Sequence, residues 1–171
     1  MLFRLSLLTV SLLLLSPFSN AQIEWLSWEE AIARNEQRPR KIMVDIYTDW
    51  CGWCKRMDKT VFTDPVVSKY IANNFYAVKL NAEQRENIVY SGHTFRFKAD
   101  AGRRGSHELA ITLLEGRMSY PSIVYLDEEE NRITISPGFK PADKFIDELS
   151  FIQGTHYRTK TYQEYLKSIG K

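Results

Sequence analysis

Two short runs of β-branched and aromatic residues, "KIMVDIYT" at 41–48 and "NFYAVKLN" at 74–81, are separated by a stretch of helical sequence. Strands that pair in parallel need a crossover of a dozen or more residues, usually a helix. The spacing therefore predicts a βαβ unit with these two runs side by side. Inside the crossover, Gly52 opens a helical segment that runs through Phe62. Thr63 or Asp64 then caps a second one that begins with Pro65.

The flanking sequence extends this α/β pattern. Trp25 to Gln37 reads as a helix, with Ser27 and Glu30 spaced as a capping box and Pro39 as its stop. Residues 82–105 show no regular period, and "ADAGRRG" breaks any helix there. Ser106 is expected to cap a helix over "HELAITLLEG", ended by Gly116. "PSIVYL" and "NRITIS" predict an antiparallel hairpin across the acidic turn "DEEEN". Pro141 opens a helix that sets Phe145, Ile146, Leu149 and Ile152 on one stripe, and "TYQEYLKSI" is a last amphipathic segment. With no repeat and no linker, residues 22–171 form a single domain: a central mixed sheet flanked by helices.

Of the 171 residues, 44% are hydrophobic and 26% charged, the balance of a globular chain. The formal net charge of +2 gives no electrostatic case for binding nucleic acid or an anionic membrane surface. Residues 1–21 differ in kind: Arg4, a leucine-rich run from Leu5 to Leu15, Pro17, then small residues ending in Ala21. That order predicts a secretory signal cleaved before Gln22, because the apolar run is short of the ~20 residues a membrane helix needs. The mature chain is thus expected outside the cytoplasm, periplasmic or secreted, where disulfides form and persist.

Both cysteines sit in "TDWCGWCK", three positions apart. Such a pair is a redox couple, half of a metal site, or an incidental bridge. A dithiol that exchanges disulfides needs an accessible thiolate to attack and a protected thiol to resolve the mixed disulfide. The start of a helix suits both, since its free N–H groups and dipole stabilise the first sulfur as thiolate. Here a strand ends near Thr48 and a helix begins after Cys51, which makes Cys51 the candidate nucleophile and Cys54 the resolving thiol.

Several separated segments together resemble the thioredoxin family. "VDIYTDWCGWCK" is similar to the family's active-site strand and helix start, and "VKLN" to its next strand. "SYPSIVYLD" resembles the segment that carries the cis-proline, and "GFKPADKFIDEL" the final glycine and helix. "DKTVFTDPVVSKYI" is most like secreted thioredoxin-like proteins and the periplasmic C-terminal domain of transmembrane disulfide reductases. The resemblance implies a thioredoxin fold with an insertion before the cis-proline segment, at residues 82–119. It implies that Asp45 lies buried beneath the dithiol as proton acceptor for Cys54, steadied by Lys79. It also implies a cis bond between Tyr120 and Pro121, with the Tyr120 backbone offered to an extended client. Trp50 and Trp53 would form an apolar landing surface, and Gly138 would let a client backbone approach. Two departures stand out: Gly-Trp between the cysteines in place of Gly-Pro, and the insertion, whose "YSGHTFRFK" reads equally as a lid beside the dithiol or as a self-packed loop.

Zinc needs about four ligands, and His93, His107 and His156 do not fall at the spacing that completes a two-cysteine site. No metal or other cofactor is expected beyond the Cys51–Cys54 disulfide. The expected activity is thiol–disulfide exchange with protein clients, reduction being favoured, supplied by a membrane-embedded electron donor and carried out by a monomer. The competing reading is a client-binding escort with a static disulfide.

Overall fold

The computed structural model describes residues 22–171; the leader expected at 1–21 lies outside the described residues. The βαβ unit is built around β2 (Ile42–Tyr47) and β3 (Tyr76–Asn81), paired in parallel from Ile42 opposite Tyr76 to Tyr47 opposite Asn81. Two helices make the crossover. α2 (Gly52–Thr60) starts at Cys51, and α3 (Pro65–Asn74) is capped by the Asp64 carboxylate, which accepts from the Val66 and Val67 N–H groups. Pro65 occupies the position where a missing N–H costs nothing.

Three more strands complete a five-stranded mixed sheet. β1 (Trp25–Leu26) pairs with β3 in parallel. β8 (Ser122–Leu126) runs antiparallel to β2, and β9 (Arg132–Pro137) antiparallel to β8. The strand order is therefore β1-β3-β2-β8-β9. Alternation along β2 sends Ile42, Val44 and Ile46 to one face. There they meet Trp28 and Ala31 of α1 (Trp28–Gln37) and Leu109 and Leu113 of α4 (Glu108–Leu113). Met43 faces the other way, toward Met57 of α2, Ile71 of α3, and Phe145 and Leu149 of α5 (Ala142–Gln153). α6 (Tyr162–Ser168) adds Tyr165 to that side.

Two expectations need correction. Trp25 and Leu26 are strand, so the first helix begins only after Ser27, where the capping box with Glu30 is formed. Ser106 does not cap the helix of the insertion. Ser106–His107 is β7, paired with β6 (Phe97–Lys98), and the cap falls one residue later, on His107. The buried His107 ring accepts from the Leu109 N–H through Nδ1 and lies 3.1 Å from the Glu86 carbonyl through Nε2.

The rest of the insertion is more regular than its sequence suggests. β4 (Ile88–Tyr90) and β5 (His93–Phe95) form a hairpin whose turn residues, Ser91 and Gly92, both have positive φ. Such two-residue turns follow the twist of the strands they join. The insertion is closed at its base by the His107 N–H, which donates to the carbonyl of Ala82, its first residue, at 2.7 Å. Leu109, Ala110, Leu113 and Leu114 are buried in the core on the α1 side.

Phe145 is fully buried and packs edge-on against Phe62, so it ties α5 to the end of α2. Phe145→Ala is expected to lower the unfolding free energy by about 3–5 kcal/mol through lost transfer energy and a residual cavity. Urea denaturation followed by near-UV circular dichroism checks this.

Candidate functional site

β2 runs into a tight turn at Thr48, where the Cys51 N–H donates to the Thr48 carbonyl at 3.1 Å. Cys51 is therefore the N-cap of α2, in extended conformation, and its Sγ accepts from the Cys54 N–H at 3.1 Å. A helix start leaves N–H groups without intrahelical partners. Here one of them is satisfied by sulfur. The two cysteines are joined as a disulfide across this first turn, with Cα atoms 5.3 Å apart.

The accessible thiol expected at Cys51 is not what the oxidised chain presents. Cys51 is 5% exposed and Cys54 3%. In the disulfide-bonded form the Cys51 sulfur is bonded to Cys54 and accepts from the Cys54 N–H. Exposure falls instead on the flanking indoles, Trp50 at 52% and Trp53 at 55%. Trp50 is not a core residue. Its Nε1–H donates to the Glu83 carboxylate at 2.8 Å, and its ring meets Tyr120 edge-on at 6.0 Å. Trp53 lies against Phe139 at 5.3 Å, and the Arg56 guanidinium sits 5.2 Å from each ring.

Asp45 shares the β2 face of Met43, the face covered by α2, so it lies on the dithiol side of the sheet. Parallel register puts Lys79 directly opposite, and Lys79 Nζ donates to Asp45 Oδ2 at 2.7 Å. The other oxygen, Oδ1, is buried without a hydrogen-bond partner. Burial pushes the Asp45 carboxyl up to about 6, overcoming the opposing charge and hydrogen bond of Lys79. Burial also works against the charge on Lys79. The Asp45 and Asp58 carboxylates outweigh it and raise the ammonium above its ordinary value.

Asp58, on α2, escapes a reading of the sequence alone. It forms a second ion pair with Lys79, which thus bridges two carboxylates. The ammonium also faces the rings of Trp25, Tyr47 and Phe62 at 4.7–5.1 Å. The available signal is its place seven residues after Cys51, two turns down the helix face that carries the dithiol.

On the far side of the disulfide, the Tyr120–Pro121 bond is cis. Gly138 has φ +85°, its N–H donates to the Pro121 carbonyl at 2.8 Å, and a Cβ there would meet nothing within 4 Å. The sheet thus brings the Cys51–Cys54 turn, Tyr120–Pro121 and Gly138 toward one end through the pairing of β2 with β8 and β8 with β9. Among the described residues, no group of three or more His, Cys, Asp or Glu is placed to hold a metal ion. None of the described helices is long and apolar enough to cross a membrane.

Residues 24–127 match the model of a family described as thioredoxin-like. The thiol:disulfide interchange protein DsbD of Yersinia pestis is 24% identical over 123 residues, 71% of this chain and 17% of that protein. An uncharacterised Caenorhabditis elegans protein is also 24% identical, over 73% of this chain and 15% of its own length. The chain thus spans less than a fifth of the length of these relatives. A solved structure of DsbH oxidoreductase superposes with a TM-score of 0.57 at 14% identity, covering 85% of this chain and 91% of the other. A thioredoxin from Thermus thermophilus gives 0.56 at 19% identity, covering 77% and 87%. At such identities these two superpositions carry the fold.

The buried carboxyl has a consequence for stability. In the unfolded chain Asp45 titrates at ~3.9, whereas in the folded chain it titrates at about 6. The folded state therefore holds the proton more tightly. That contribution is complete below about pH 4 and is lost as pH rises through about 6. Asp45→Asn is expected to raise the unfolding free energy at about pH 7.5 by on the order of 2 kcal/mol, with no gain at about pH 3.5. Urea unfolding at the two pH values checks the sign.

Proposed function

The chain belongs to the thioredoxin-like family, and from that premise we propose that it is a thiol–disulfide oxidoreductase acting on protein clients outside the cytoplasm. The observation that carries the reading is a Cys51–Cys54 pair at the N-terminus of α2, on the sheet face where a buried carboxyl is raised to about 6. Extracytoplasmic work is supported by the leader-like sequence of residues 1–21. Reduction of clients is the favoured direction, from the resemblance of "DKTVFTDPVVSKYI" to the reductase domains.

In that direction the reduced chain reacts in two steps. The Cys51 thiolate, stabilised by the helix start, attacks one sulfur of a client disulfide. The client S–S bond breaks, a mixed disulfide forms, and the departing client sulfur takes a proton from water. Cys54 then gives its proton to ionised Asp45 and attacks the Cys51 sulfur; the second client sulfur leaves as thiolate and takes that proton from Asp45. The client has gained two electrons from the dithiol and two protons, one from solvent and one from Cys54, and the Cys51–Cys54 disulfide remains. An external dithiol, supplied by a membrane-embedded donor, restores the reduced form. In this cycle Lys79 positions the Asp45 carboxylate, while Trp50, Trp53, Tyr120, Pro121 and Gly138 receive the client.

Insulin reduction driven by dithiothreitol tests the reading. Cys51→Ser and Cys54→Ser are each expected to abolish turnover, and only Cys54→Ser should accumulate a mixed disulfide. A double variant that still captures clients at full strength, beside a wild type that reduces nothing, would instead establish the escort.

The proton step makes a separate prediction. Because Asp45 accepts a proton only when ionised, resolution of the mixed disulfide should accelerate as pH rises through about 6 and then level off. Asp45→Asn should slow resolution by about a hundredfold and remove that inflection. Stopped-flow tryptophan fluorescence against pH measures both.

A further inference from the structure

A groove of about 920 Å³ runs from Trp50 and Tyr120 along the tip of the insertion, and it is lined there by Arg103 and Arg104. Ligand clefts occupy ~300–1,000 Å³, so this one has room for several residues of an extended chain. Its position is tied to the dithiol. Trp50 immediately precedes Cys51, Tyr120 immediately precedes the cis-proline, and the Arg104 guanidinium lies 5.5 Å from the Trp50 ring.

The tip is a built feature of the fold. It closes the β6–β7 pairing of Phe97 with His107 and Lys98 with Ser106. Gly105 has φ +75°, and a Cβ there would fall 2.2 Å from the Phe97 ring and 2.8 Å from the Lys98 carbonyl. Only glycine lets the chain turn back at that point. The Ala101 N–H donates to the Lys98 carbonyl, and the Ser106 hydroxyl to the Ala101 carbonyl.

Charge decides what the groove takes. Among the described residues, Arg103 and Arg104 are exposed and make no salt bridge, whereas Lys98 at the base of the same loop is paired with Glu108. The groove's one carboxylate, Glu83, accepts from the Trp50 indole. Two unpaired guanidinium groups therefore face a channel floored by Trp50, Met118 and Tyr120.

We propose that this groove is a specificity subsite for an extended client segment that carries acidic residues next to its cysteine. Arg103 and Arg104 pair with the carboxylates, while the aromatic floor takes the backbone and apolar portions. The proposal rests on the oxidoreductase reading above and deepens it: the insertion selects which disulfides reach Cys51.

Single-turnover mixing of the fully reduced protein with three peptides of equal length tests it. Each peptide carries one intramolecular disulfide, with glutamate, glutamine or lysine flanking both cysteines. Each turnover converts protein dithiol and peptide disulfide to protein disulfide and peptide dithiol, which is quantified by chromatography. The glutamate peptide is expected to react about fivefold faster than the glutamine peptide at low salt, from two rim ion pairs. The preference should shrink toward unity at about 1 M salt. R103Q/R104Q should erase it, and R103E/R104E should turn it toward the lysine peptide. Equal rates for the three peptides in the wild type, or a preference untouched by both double variants, would overturn the subsite alone. Arginine dependence seen only with glutathione disulfide would overturn the peptide assignment. Failure to react with every peptide would remove the oxidoreductase reading and this proposal together.

Discussion

The site depends on one expensive placement, a carboxyl group buried in the middle of β2. Asp45 is 1% exposed and one of its oxygens has no partner. An ionised carboxylate in such a position would cost several kcal/mol unless compensated. The compensation comes from sheet geometry, because parallel register sets Lys79 on the neighbouring strand, on the same face. Lys79 neutralises Asp45 only in part, since Asp58 competes for the same ammonium. Desolvation therefore still wins, and the carboxyl is held at about 6, where it takes and gives protons near neutrality.

Lys79 is kept in place by more than charge. Three aromatic rings from β1, β2 and the segment after α2 surround its ammonium, and a desolvated cation gains from each ring face. Trp25 explains what the two-residue strand β1 contributes: it brings an indole to the edge of β3 beside the lysine. The C-terminal half of α2 is anchored on the same side of the sheet, with Met57, Val61 and Phe62 buried in the core that Asp45's face of β2 covers.

Legibility in the sequence follows interaction range. β2, α2, α3 and β3 are readable because caps, Pro65 and β-branched runs are local signals reinforced by their own neighbours. β1 is hidden because Trp25 falls at helical spacing from Trp28 and Ile32 and so blends into the stripe of α1. Two residues are also too few to display a period of two. The helix of the insertion is displaced by one residue because Ser106 outranks His107 as a cap in isolation. Pairing of Ser106 with Lys98 takes it into a strand and leaves His107 to cap. The β4–β5 hairpin carries a legible turn, Ser91-Gly92, obscured by strands only three residues long. Asp58 has only a weak local signal, its place two turns after Cys51, because an aspartate on an amphipathic helix ordinarily belongs to the solvated face; the partner that gives it a role, Lys79, lies on another element.

Beyond the 90–98 stretch, the insertion has two further parts of different kind. Its α4 portion is core: Leu109, Leu113 and Leu114 replace what solvent would otherwise touch on the α1 face of the sheet. Its β6–β7 tip extends away from that core toward Trp50. The division has a physical logic. A tip with few buried apolar contacts could not hold two like-charged arginines beside the dithiol without support. The buried His107 cap, its N–H bond to Ala82 and the glycine turn at 105 give that support from below. Glu83 then completes the link, since it stands two residues after the end of β3 and holds the Trp50 indole from the insertion side. Trp50, the residue before Cys51, is therefore held by the same segment that carries the arginines, so the insertion bears directly on the Cys51–Cys54 end of the molecule.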